Sequence, residues 1–192
     1  MNTRRKIDFR MFEKEKVIPV TGGLLSGSTK NLLPDNNDLE SLLSLMGEDV
    51  TIYWVIKGEW TMHQLLIGLL NITGAADIVL ATYAMCETSA RIIAQLKNGN
   101  MITSLSTILD NRVDVRSAGS FQLMTSMSDR LVLDEVHAKV TVIKNESFSI
   151  AVIGSANYTE NNRYEAGVIT TNPGAVDAQL LWMNKVMANE SK

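Results

Sequence analysis

VHAKVTVIKNESFSIAVIGSAN, residues 136–157, reads as two strands joined by a short turn. Val136–Ile143 and Phe148–Gly154 are rich in β-branched residues, and Lys144-Asn145-Glu146-Ser147 between them is polar. Side chains two apart on a strand share a face, so His137, Lys139, Thr141 and Ile143 point one way. The second strand is apolar on both faces through Ile150–Ile153, as a buried central strand should be. It runs into Gly154-Ser155-Ala156-Asn157, where Ser155 and Asn157 again share a face. A hairpin brings the two polar pairs to one end of the sheet, His137 and Lys139 entering where Ser155 and Asn157 leave.

Upstream, the pattern alternates strands and helices. Val50–Ile56 is an apolar, aromatic run that suits a strand. Thr61 and Gln64 form a capping box, so a helix starts there, carrying His63 in its first turn and Leu65, Leu66, Leu69 and Leu70 behind it. Asp77–Tyr83 as strand, Ala90–Lys97 as helix and Met101–Leu105 as strand make a βαβ unit with parallel strands, and Gly99 suits a left-handed cap. Within Arg112 to Arg130, Val113–Arg116 suits a strand, and Phe121–Met127 suits a strand or a helix equally. Downstream, Tyr164–Thr170 reads as a strand, and Asn172-Pro173 as the N-cap and first position of a closing helix with Val176, Leu180, Met183 and Met187 inward. The expected fold is α/β, a mixed and mainly parallel sheet flanked by helices over residues 50–192. Residues 1–49 read as an N-terminal arm and loop, with a short strand near Val17–Val20 and a helical turn near Leu39–Met46.

The 192 residues are 45% hydrophobic and 20% charged, a composition that folds. No apolar run approaches the roughly 18 residues of a membrane span, and Met1 to Arg10 lacks the apolar stretch of a secretory signal, so the cytoplasm is the expected compartment. A net charge of −3 offers nucleic acid no global attraction and leaves a local basic patch as the means of binding it. The single cysteine, Cys86, has no partner for a disulfide or a thiolate metal site and reads as a small buried hydrophobe. No His/Cys/Asp spacing of ligand type appears. Gly22 to Lys30 is glycine-rich, but its lysine is misplaced for a phosphate-binding loop, and it reads as a flexible loop.

His137-x-Lys139 followed by Gly154-Ser155-x-Asn157 resembles the signature of the phospholipase D superfamily, and Glu165, eight positions after Asn157, answers to that signature's last element. The resemblance covers roughly residues 50 to 170. Two features depart from it. Where the family carries Asp after the His-x-Lys strand this chain has Lys144, and the gap from Lys139 to Gly154 is three residues longer, which places the insertion in the turn around Asn145 to Ser147. The family's Asp supports the site at the strand's end, so Lys144 bears on support more than on reagents.

The resemblance implies metal-independent phosphodiester chemistry with no cofactor. His137 would attack phosphorus and form a phosphohistidine. Lys139 and Asn157 would stabilise the non-bridging oxygens, and Ser155 would add a hydrogen bond or order the loop. Glu165 would hold a histidine Nδ1 and fix the tautomer. The other histidine, His63, has no such context and reads as a semi-exposed structural residue. Single-motif members of the family solve the shortage with a twofold homodimer whose interface unites two motifs. The implied activity is that of an endonuclease on DNA, with Arg91, Lys97, Arg112, Arg116 and Arg130 as candidates for tracking phosphates. The competing expectation is a catalytically silent DNA-binding or scaffold dimer.

Overall fold

The computed structural model describes residues 29–35 and 37–189. The strand expected at 17–20 and nearly all of the loop at 22–30 lie outside them.

Strand β2 (Val50–Ile56) alternates buried and exposed positions, and helix α2 (Met62–Thr73) begins on the capping box, with Thr61 and Gln64 satisfying each other's backbone N–H groups. Leu65, Leu66, Leu69 and Leu70 of α2 are buried, each worth about 2 kcal/mol in apolar area removed from water. Strand β3 (Ala76–Thr82), helix α3 (Glu87–Asn98) and strand β4 (Ile102–Asp110) form the expected βαβ unit, β3 and β4 parallel. The left-handed residue after α3 is Asn100 (φ 59), not Gly99 (φ −81). Arg112 to Arg130 resolves into two helices, α4 (Val113–Arg116) and α5 (Ala118–Met127), so the strand suited to Val113–Arg116 is a helical turn. Then come β5 (Arg130–Asp134), β6 (Val140–Lys144), β7 (Ser149–Gly154), β8 (Glu165–Thr170) and α6 (Pro173–Asn189), whose N-cap Asn172 accepts from the Ala175 amide at 3.1 Å.

A helix lies where a helical turn was expected near Leu39–Met46. Strand β1 (Lys30–Leu32) pairs with β2, and helix α1 (Leu39–Ser44) buries Leu42 in the core that α2 shares.

The eight strands run β1-β2-β8-β7-β6-β3-β4-β5. The sheet is mixed, as expected, but its balance is not mainly parallel: β1/β2, β3/β4 and β4/β5 are parallel, while β2/β8, β8/β7, β7/β6 and β6/β3 are antiparallel. For β6 and β7 the physical reason is connection length, since their short turn permits only an antiparallel neighbour. Helices α1, α2, α3 and α5 share one core cluster on one side of the sheet, and α6 packs Val176, Met183 and Met187 into a second cluster with β3, β5, β6 and β7.

The first strand of the decisive hairpin is shorter than expected. It starts at Val140, so His137 and Lys139 precede it. Strand β3 pairs with β6 only as far as Ala81↔Val140, and beyond that point the chain lacks a ladder partner on that side. On the other side the Gly154 amide donates to the Lys139 carbonyl at 3.1 Å, which keeps the segment extended.

Candidate active site

Five strands deliver polar residues to one end of the sheet. Strands β3, β4 and β7 end there, with Tyr83, Asp110 and the Ser155–Asn157 segment at or just beyond their last residues, and β6 and β8 begin there, behind Lys139 and at Glu165. This end is set by the antiparallel register, in which Val140 faces Ile153 and Gly154 faces Gly167.

Lys139 is buried, 9% exposed, while His137 is exposed. The Lys139 ammonium donates to the His137 carbonyl at 2.5 Å and lies 3.3 Å from its Nδ1. Burial pulls the Lys139 pKa below the ordinary lysine value, and Glu165 leads the negative groups that hold it up, followed by Tyr83 and Asp110. The Glu165 carboxylate accepts from Ser155 Oγ, and from Asn161 Nδ2 at 3.3 Å. Ser155 Oγ in turn accepts from the Ala166 amide at 3.1 Å, so the serine ties the end of β7 to the start of β8. Asn157 Oδ1 accepts from the Ala84 amide at 3.1 Å and from Thr82 Oγ1 at 3.3 Å, which turns its oxygen toward protein and leaves Nδ2 as the donor for a ligand. Tyr158 locks this loop from below, its hydroxyl bonded to Thr141 Oγ1 at 2.9 Å in a fully buried setting that pushes its pKa up to about 12.

All five expected site residues therefore lie at one end of the sheet. The contact expected between Glu165 and a histidine Nδ1 is not made within the chain, where Glu165 serves Ser155 and Asn161.

His63 is not semi-exposed. It is 6% exposed, with Nδ1 2.9 Å from the buried Ser89 Oγ, and burial lowers its pKa. It is buried because α2 turns its first-turn residues inward against α3, which sequence periodicity does not reveal. Cys86, half-buried rather than buried, lies 3.3 Å from the same Ser89 hydroxyl.

Of the five candidate phosphate-tracking cations, three are spread over the surface. Arg91 pairs with Glu87, Lys97 with Asp129 at 2.7 Å, and Arg130 donates to the Met187 carbonyl. Arg112 and Arg116 instead join Tyr83 beside the histidine. Their guanidinium carbons lie 5.1 and 5.0 Å from the Tyr83 ring centre, the Lys139 ammonium lies 5.2 Å from it, and the His137 ring is tilted against it at 4.8 Å. Tyr83, visible in sequence only as an aromatic at a strand end, is thus a hub of the site that sequence reasoning did not select. Asp110 was missed too; it is 2% exposed and accepts from Arg112 Nε at 2.7 Å and from its amino group at 3.1 Å, and that guanidinium holds its carboxyl below the usual carboxylate range. An open cleft of about 480 Å³ runs past His137 between Arg112 and Glu135.

The chain is similar to several solved structures, among them two enzymes. Polyphosphate kinase from Porphyromonas gingivalis is 15% identical over 71% of this chain and 26% of its own, with a TM-score of 0.47. Phosphatidylserine synthase from Haemophilus influenzae Rd KW20 is 11% identical over 70% of this chain and 37% of its own, with a TM-score of 0.42. The chain thus spans well under half the length of either. No family model matches it, and no curated protein does.

Lys144 ends β6 at the opposite end of the sheet from His137, in register with Asp77 on one side and Ser149 on the other. The neighbouring Asn145 ties the turn to the chain before β3, its Nδ2 donating to the carbonyls of Thr73 and Ala75 at 2.9 and 3.1 Å and its Oδ1 accepting from the Ser147 and Phe148 amides. The longer turn is held by this side chain and by the Asn145 amide, which donates to the Phe148 carbonyl at 2.9 Å.

Proposed function

We propose that this chain is a phospholipase D-like phosphodiesterase that cleaves DNA through a phosphohistidine, at a site completed by a second copy. The observation that carries the proposal is the convergence of His137, Lys139, Ser155, Asn157 and Glu165 on one end of the sheet, from residues up to 28 positions apart.

The Lys139 ammonium, which carries only donors, lies 3.3 Å from His137 Nδ1; a bond donated there would leave the imidazole's proton on Nε2. A substrate phosphate competes for the Lys139 ammonium, since a charge-assisted bond to an anion is stronger than one to a neutral ring. Nε2 then gives its proton to solvent as solvent delivers one to the freed Nδ1; Nδ1–H donates a hydrogen bond to a carboxylate, the role proposed for Glu165, and the neutral Nε2 becomes the nucleophile. Nε2 bonds to phosphorus, the bond to the leaving oxygen breaks, and the second copy's histidine supplies the proton that oxygen takes. That histidine then removes a proton from water, the hydroxide oxygen bonds to phosphorus, and the N–P bond breaks. Lys139 and Asn157 Nδ2 stabilise the charge on the non-bridging oxygens throughout.

The competing reading, a silent scaffold, drew its support from Lys144. Strand β6 separates that residue from the site, so its charge does not touch the reagents.

Purified protein is expected to hydrolyse bis(p-nitrophenyl) phosphate and DNA in the presence of EDTA, and His137→Ala to reduce turnover by at least about 1,000-fold, as loss of a covalent nucleophile does. Wild-type protein inert toward both substrates overturns the enzyme proposal in favour of the scaffold.

A further inference from the structure

Beside the reacting histidine stands a second set of groups that the proposed chemistry leaves unused. Arg112 and Arg116 flank Tyr83, against which the His137 ring lies, and Arg112 lines the cleft that runs past that histidine; neither arginine is drawn from the motif. Their positions are built. The Arg112 fork is held on two nitrogens by the buried Asp110 carboxylate, and Arg116 donates to the Tyr83 hydroxyl. Both side chains are nevertheless exposed, Arg112 at 55%, so each retains donors facing solvent.

We infer that Tyr83, Arg112 and Arg116 form a subsite for a second phosphate, the one flanking the scissile diester in a polynucleotide chain. This rests on the phosphodiesterase proposal and deepens it, because it gives the acidic chain a local means of selecting a polyanion over a simple diester. Guanidinium groups suit the task, since their planar fork binds phosphate on two oxygens and they stack on an aromatic face while doing so. The cleft also carries negative charge: Asp110 is neutralised by Arg112, and Glu135 lines the rim. Glu135 would repel a phosphate on its own wall, which favours the Arg112 wall, where that guanidinium meets Tyr83. Arg91, Lys97 and Arg130 do not share the task, being engaged elsewhere on the surface.

The test compares two substrates, a single-stranded DNA 12-mer and bis(p-nitrophenyl) phosphate, with Arg112→Ala, Arg112→Lys, Arg116→Ala and, as a control for lost positive charge, Lys185→Ala on the outer surface of α6. The arginine variants are expected to raise KM for the 12-mer about tenfold each, the size of one charge-assisted bond, with a much smaller effect on the small diester. Arg112→Lys, which keeps charge but loses the fork, falls between, and Lys185→Ala matches wild type on both. The salt dependence of 12-mer binding also becomes shallower, by roughly 0.7 in log–log slope per arginine removed. Equal losses on the two substrates, or an unchanged KM for the 12-mer, overturn the subsite while leaving the phosphodiesterase proposal standing. If Arg112→Ala destabilises the fold by stranding Asp110, Arg116→Ala and Arg112→Lys carry the comparison. Should wild type turn over neither substrate, fluorescence anisotropy of the labelled 12-mer on the intact protein decides: affinity lost in the arginine variants supports the subsite, and affinity unchanged or absent overturns it.

Discussion

Lys139 carries a charge in a place that resists one. Burial favours its neutral form, and Glu165, Tyr83 and Asp110 oppose that with negative charge or polarity. Because the protonated ammonium is the form that stabilises phosphate oxygens, activity should fall on the alkaline side as Lys139 loses its proton, with the midpoint below the ordinary lysine value of 10.5. Removing the leading supporting charge with Glu165→Gln should move that midpoint further down. A pH profile of kcat/KM measures both; a midpoint at or above 10.5, unmoved in the variant, would show that Lys139 is not the titrating group. At this scale much was legible in the sequence, because His137, Lys139, Ser155, Asn157 and Glu165 stand at characteristic separations. Tyr83 and Asp110 were not legible, nor was it legible that Arg112 and Arg116 of the five candidate cations would join them, because these residues stand at or beyond the ends of two other strands and meet the motif only through the sheet. His63 was misplaced for a related reason: which face of α2 is buried depends on α3, and Ser89 of α3 is its partner.

The element that organises the site is the β6–β7 hairpin with β8 against it. Gly154 and Gly167 face each other there, and the Trp54 indole of β2 lies across both. A Cβ on Gly167 would overlap the Ile153 carbonyl oxygen and the indole ring, and one on Gly154 would come within 2.8 Å of the Ala166 carbonyl oxygen and of Trp54. Gly167→Ala should therefore cost about 2–3 kcal/mol, the size of an overpacked core, read as a lower urea midpoint at unchanged m-value. It should also lower activity, since Glu165 and Ser155 sit on the displaced strands; a midpoint within error of wild type would mean that the indole moves freely. The helix α2 was legible from its local capping box, and β2 from its alternation. The start of β6 was not, because Val136 to Lys139 has the composition of a strand but runs past the end of β3, and a ladder requires a partner.

Across the whole molecule, the chain presents one His-x-Lys and holds its other histidine in the core. A phosphohistidine mechanism needs a second proton donor, and a twofold pair brings two copies of the same patch together. The protein should sediment as a dimer at micromolar concentration, and specific activity should fall on dilution through the dimer dissociation constant. Full activity in a strict monomer would end the shared-site proposal. The sequence by itself determined the five candidate site residues, the hairpin whose end four of them flank and the α/β class, because these depend on spacing and periodicity over a few residues. Only the tertiary structure decided that the sheet is more antiparallel than parallel, that Lys30–Leu32 add a strand to it, that Lys144 lies at the far end from His137, and that Tyr83 gathers two arginines beside His137. Those outcomes depend on which strands become neighbours, and that is settled by burying both faces of the sheet at once, a condition no local stretch of sequence contains.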